Sequence, residues 1–119
     1  MLYVAQEELE KRAYASTAHY LKASGWTIER LWFRGFIVAQ DMDEETVFVA
    51  VNVRPDSSEG FVEEEIDRYD FESALCEWFE EHSDTPPCAV RCDAMSLVVV
   101  GNSGDKAVLR HHKNVIRLW

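Results

Sequence analysis

The stretch Thr46–Val53, TVFVAVNV, constrains the fold more than any other. It is rich in β-branched side chains and carries no charge, so it reads as a strand buried at the centre of a sheet. A second apolar strand is predicted at Val90–Gly101, and the segment between them reads as a helix from about Val62 to His82. Strand, helix and strand in that order form a crossover, which sets the two strands parallel in one sheet.

The flanking segments extend this core. From about Val4 to Ser24, Ala5, Leu9, Ala13, Thr17 and Leu21 recur at helical spacing, with Ala18 and Tyr20 widening the stripe. Gly25 follows as the residue that ends the helix in the left-handed conformation. Trp26–Phe33 alternates apolar and polar side chains, Arg34-Gly35 turns the chain, and Phe36–Gln40 returns as a second strand. Asp41, Met42, Asp43, Glu44 and Glu45 make a solvated turn into the central strand, and Arg54–Gly60 makes a loop out of it. In the second helix, Val62, Ile66, Tyr69, Leu75, Trp78 and Phe79 are predicted to face the core. Pro86-Pro87 closes that region, Asn102–Asp105 forms a hairpin turn, and Ala107–His112 is the last strand. The order α-β-β-β-α-β-β predicts an α/β domain: a mixed sheet flanked by helices, with no internal boundary across residues 1–119.

Composition narrows the class. A chain with 47% hydrophobic and 29% charged residues is neither disordered nor low-complexity. Its apolar runs are too short to cross a bilayer and its N-terminus lacks a signal-peptide pattern, so no membrane is expected and the cytoplasm is the expected compartment. Three cysteines, Cys76, Cys88 and Cys92, are an odd number and read as buried thiols rather than disulfides or zinc ligands. The net charge of -10 is concentrated. Between Asp56 and Asp84 stand twelve acids and one base, whereas the rest of the chain is nearly neutral. Such a surface repels nucleic acid and suits a basic protein partner.

Three stretches together carry a family resemblance. AYASTAHYLKASGWTIERLWFRG resembles the opening of the YraN-type predicted endonucleases, with their A-x-Y-L helix, Gly and I-E-R-N-W. VFVAVNVR is similar to that family's V-F-V-E-V-K-T-R, and Arg91-Cys-Asp-Ala94 with His111-His-Lys-Asn114 is similar to its R-F-D-V and H-I-x-N-A. The resemblance implies a restriction-endonuclease-like fold of the PD-(D/E)xK superfamily, distantly similar to Holliday junction resolvases. It also implies a metal-dependent nuclease centre, in which an Asp and the Glu of E-x-K hold Mg²⁺ or Mn²⁺ while the Lys positions water. The E-x-K slot here reads Ala50-x-Asn52, the strand-two acid is replaced nearest by Phe36, and Tyr14 stands where the family has a helical Glu. The second helix, basic in the family, is acidic here. These departures point to a non-catalytic relative that needs no cofactor.

Other residues could carry chemistry. Asp41 and Asp43 form a candidate relocated metal pair, which with Mg²⁺ or Mn²⁺ would make the chain a nuclease on branched or single-stranded DNA. Glu63, Glu64 and Glu65 could contribute to such a site, although a helix N-terminus explains them without function. Arg110, His112 and Lys113 make a small basic patch able to contact an anion; His111 and His112, being adjacent on a strand, face opposite sides. A third reading makes the acidic segment an inhibitor of a DNA-binding protein. Trp26, Trp32 and Trp78 are predicted in the core, and the terminal Ile116–Trp119 reads as an apolar tail suited to a homodimer contact.

Overall fold

A computed structural model of the chain describes residues 6–54, 66–84, 90–100 and 106–118. The elements are α1 (Gln6–Ala23), β1 (Thr27–Phe33), β2 (Phe36–Gln40), β3 (Thr46–Arg54), α2 (Arg68–Glu81), β4 (Val90–Val100) and β5 (Lys106–Leu118). They follow the predicted order, and the architecture is α/β. The five strands lie side by side in sequence order. Strands β3 and β4 pair in parallel across the α2 crossover, and every other neighbouring pair is antiparallel.

The pleat sorts the core into two halves, because alternate side chains leave a strand on opposite faces. Phe36, Val38, Phe48, Val90 and Cys92 meet Phe71, Ala74, Leu75 and Trp78 of α2. Ile37, Ala39, Val47, Val49, Met95 and Leu97 meet Ala13 and Leu21 of α1, together with Trp26. The helices therefore cover opposite faces. Phe48 is the hub of the α2 side, with ring centroids 5.6 Å from Phe71, 6.0 Å from Phe36 and 6.2 Å from Trp78.

Turn chemistry sets the connections. Helix α1 ends as predicted at Gly25, whose φ of 91° is left-handed. The Gly25 N–H donates to the Lys22 carbonyl and the Trp26 N–H to that of Leu21, both at 3.0 Å, which satisfies carbonyls the helix end leaves open. Arg34 and Gly35 both have positive φ, the requirement of a two-residue hairpin turn matching strand twist.

Several expectations are corrected. Helix α2 begins at Arg68 rather than Val62, because the Asp67 carboxylate accepts hydrogen bonds from the N–H groups of Tyr69 and Asp70 and caps it there. Glu63, Glu64 and Glu65 fall outside the described residues. With this phase, Phe71, Ala74, Leu75 and Trp78 face inward, while Tyr69 (75% exposed) and Phe79 (40%) do not. Strand β5 runs well past His112 and pairs with β4 as far as Leu118, so the expected apolar tail continues the sheet; Trp119 lies outside the described residues. Trp26 and Trp78 are buried as predicted, but Trp32 is 63% exposed. No described helix is long and apolar enough to cross a membrane.

Candidate functional site

The positions aligned with the nuclease centre are occupied by packing groups. Phe36 is buried, with its ring centroid 6.1 Å from that of Phe71, and Ala50, its partner across β2 and β3, packs on the same cluster. The Tyr14 hydroxyl donates to the Gly35 carbonyl at 2.6 Å, tying α1 to the hairpin turn. Burial, with the Glu10 carboxylate nearby, pushes its pKa above the usual tyrosine value. Asn52 stands two residues beyond Ala50, in register with Ser96 and, across β4, with Arg110. Asn52 Nδ2 and Ser96 Oγ are buried without a hydrogen-bond partner, which leaves some polarity at the slot but no carboxylate on Ala50, Asn52 or Ser96. Arg110 and His112 are placed on this α2 face by the register, whereas Lys113 lines a cavity on the α1 side with His111. The pleat thus divides the expected basic patch between two faces.

That α1-side cavity, about 350 Å³, borders a buried polar cluster that sequence reasoning did not assemble. At its centre is Asp93 on β4, with a fully buried side chain. Arg91 lies two residues earlier on the same face, and its Nε donates to Asp93 Oδ1 at 3.0 Å. Arg91 Nη2 donates to Oδ2 at 3.4 Å, His111 Nε2 lies 2.9 Å from Oδ2, and the Asn114 N–H donates to Oδ1 at 2.9 Å. The last two donors reach one carboxylate because β5 changes register opposite Asp93, with Asn114 at φ 58°. An ionised carboxylate accepts but cannot donate, so His111 Nε2 carries the proton in this contact.

The cluster extends to the β2–β3 turn. Arg91 Nη1 donates to Asp41 Oδ2 at 2.7 Å and lies 3.6 Å from Glu45 Oε2. Asp41 Oδ1 also accepts from the N–H groups of Asp43 and Glu45, so it shapes the turn as well as pairing with the arginine. The Arg91 guanidinium lies 5.5 Å from the Trp26 ring centroid, and His111 meets Tyr20 and Trp26 edge-on at 5.7 and 5.5 Å. The expectation of a merely solvated turn is corrected at Asp41.

Electrostatics follow from these contacts. Burial pushes the Asp93 carboxyl up, but the hydrogen bonds from His111, Arg91 and Asn114 and the charge of Arg91 outweigh it, so its pKa lies below the usual value. Burial likewise opposes Asp41, and the Glu45 N–H, Arg91 and the Asp43 N–H bring it below the usual value too. With about four acceptor directions on a carboxylate and four donors present, Asp93 has little capacity left for a metal or a substrate proton. The arrangement is a latch joining β4, β5 and the β2–β3 turn. Among the described residues no group of three or more His, Cys, Asp or Glu could hold a metal ion.

The cysteines separate by burial. Cys92 is buried, and burial together with the Asp93 charge raises its thiol pKa well above normal; Cys76 is exposed, against expectation, and Cys88 lies outside the described residues. Iodoacetamide on the native protein, followed by peptide mass analysis, is expected to modify Cys76 and spare Cys92 until denaturant is added. Modification of both at one rate without denaturant would contradict the packing of β4.

Helix α2 presents the acidic surface. Arg68–Glu72 and Arg30–Glu81 pair at 2.9 Å and Arg34–Glu77 at 3.0 Å, all substantially exposed and so worth at most about 1 kcal/mol each. Asp70 and Glu80 lie on the same helix, as does the exposed ring of Tyr69.

What sequence reasoning missed was the convergence of Arg91, Asp93, His111 and Asn114 with Asp41. The signal was present in two of the stretches that carry the family resemblance, and the two-residue spacing of Arg91 and Asp93 puts both on one strand face. No family model and no curated protein matches the chain.

Proposed function

We propose that the chain is a non-catalytic relative of the YraN-type predicted endonucleases, with a restriction-endonuclease-like fold of the PD-(D/E)xK superfamily. In this reading it works in the cytoplasm as an interaction module whose acidic α2 face engages a basic protein partner. The observation that carries the reading is the commitment of Phe36 and Ala50 to the core beneath α2. A metal-binding carboxylate at either place would have to displace packed aromatic rings. The observed element order and the parallel β3–β4 pair support the fold assignment. Asp70, Glu72, Glu77, Glu80 and Glu81 on α2 support the sign of the partner's charge.

The test combines two assays. Labelled duplex, single-stranded and four-way-junction DNA, incubated at low salt with and without Mn²⁺, is expected to show no cleavage. A Lys/Arg-rich peptide is expected to bind in a salt-dependent manner and to weaken several-fold when Glu72 and Glu80 are changed to lysine. Mn²⁺-dependent cleavage that disappears in Asp43→Ala would overturn the reading in favour of a nuclease with relocated acids. Asp43 is the informative position because its side chain is exposed, whereas Asp41 is tied to Arg91.

A further inference from the structure

Strand β1 lies at the edge of the described sheet and pairs irregularly with β2. Ile28 aligns with Ala39, Arg30 with Val38 and Phe33 with Phe36, so Leu31 and Trp32 together oppose Ile37 alone. That is an inserted residue, and such bulges re-aim side chains. Here Leu31 (50% exposed) and Trp32 (63%) both reach a groove of about 470 Å³ between β1 and α1. Tyr14 closes the groove's inner end, anchored through its hydroxyl to Gly35, while Glu7, Glu10 and Lys11 of α1 form the other wall.

From this geometry we infer that the α1–β1 groove is a docking site for a basic amphipathic helix of a partner protein. The inference rests on the proposed function only for the sign of the partner's charge. Three features select this occupant. Leu31, Trp32 and Tyr14 offer an apolar and aromatic floor, and a solvated tryptophan beside another ring is the composition of a binding anchor. Glu7 and Glu10 stand beside an indole face, and carboxylates next to an aromatic ring favour lysine or arginine. A second copy of this chain would instead bring another net charge of -10 against the first. The two register breaks in β1 interrupt the regular spacing of its outer N–H and C=O groups, so an added strand fits less well than a helix lying along α1.

Fluorescence anisotropy with a short labelled Leu/Lys amphipathic helical peptide tests the proposal, with a Leu/Glu peptide of the same pattern as comparison. Wild type is expected to bind the Leu/Lys peptide and not the Leu/Glu peptide. Trp32→Ala, which leaves every charge in place, is expected to weaken binding about tenfold or more, and Leu31→Ala by less. Both side chains are largely exposed, and an unchanged melting temperature verifies that the variants fold. Binding unaffected by Trp32→Ala but lost in Glu72→Lys/Glu80→Lys would sink the groove and leave the α2 reading standing. Loss with Trp32→Ala alone would sustain the groove without α2. A wild-type dimer in light scattering that Trp32→Ala converts to monomer would make a second copy the occupant and overturn the proposal.

Discussion

Asp93→Ala is expected to destabilise the protein by about 3–5 kcal/mol, the cost of leaving one partner of a buried ion pair uncompensated. The substitution strands Arg91, whose side chain is only 8% exposed, and removes the acceptor that His111 and the Asn114 N–H share. Urea denaturation monitored by circular dichroism measures the loss, and a cost below about 1 kcal/mol would mean the latch contributes little. The same network fixes the acid response. Both Asp93 and Asp41 have folded pKa values below the usual carboxyl value. The folded state therefore gains from their ionisation above the unfolded value of about 3.9. That gain is lost as pH falls below about 4 towards the folded values, because protons then bind the unfolded chain first. Asp93→Asn should flatten this acid limb while lowering stability at pH 7. An acid limb as steep as that of wild type would place the proton linkage elsewhere.

Phe36→Asp is expected to have the larger effect. It would return a carboxylate to the place nearest the strand-two acid of the nucleases that the sequence resembles. Deleting a buried phenylalanine ring costs about 3–5 kcal/mol, and an unpaired carboxylate in its place adds a desolvation cost of several more. Phe36 is 5% exposed and lies against both Phe48 and Phe71. Against a typical domain stability of about 5–15 kcal/mol, the sum is enough to unfold the chain at neutral pH. Loss of near-ultraviolet circular dichroism and of a cooperative urea transition would show this. A folded Phe36→Asp protein that cleaves DNA with Mn²⁺ would reverse the view that this position has become part of the core.

These two positions differ in how far sequence reasoning reaches. Phe36 stands in a compact strand of alternating destinations, and its neighbours on β3 are apolar; burial follows from pattern alone. Asp93 stands in an equally apolar strand, yet its partners lie at residues 41, 111 and 114. No local period links them, and the bulge that brings Asn114 back to Asp93 leaves no signature in the order of residues. Trp32 shows the same limit from the other side. Strict alternation predicts it to be buried, but alternation assumes an unbroken pleat, and the register break beside Ile37 turns it outward. At α2 the error was one of phase, because acids suit both a helix's first turn and the residues before it, and only the Asp67 side chain on the Tyr69 and Asp70 N–H groups fixes the start.

The sequence by itself determined the order of elements, the parallel pairing of β3 with β4 and most of the core. These depend on the period of side chains along one segment and on the short reach of turns such as Arg34-Gly35. Only the tertiary structure decided that Arg91, Asp93, His111 and Asp41 form one latch and that Leu31 and Trp32 line one groove. Those outcomes depend on strand register and bulges, where a shift of one residue exchanges the two faces of a sheet while leaving the pattern of each strand unchanged.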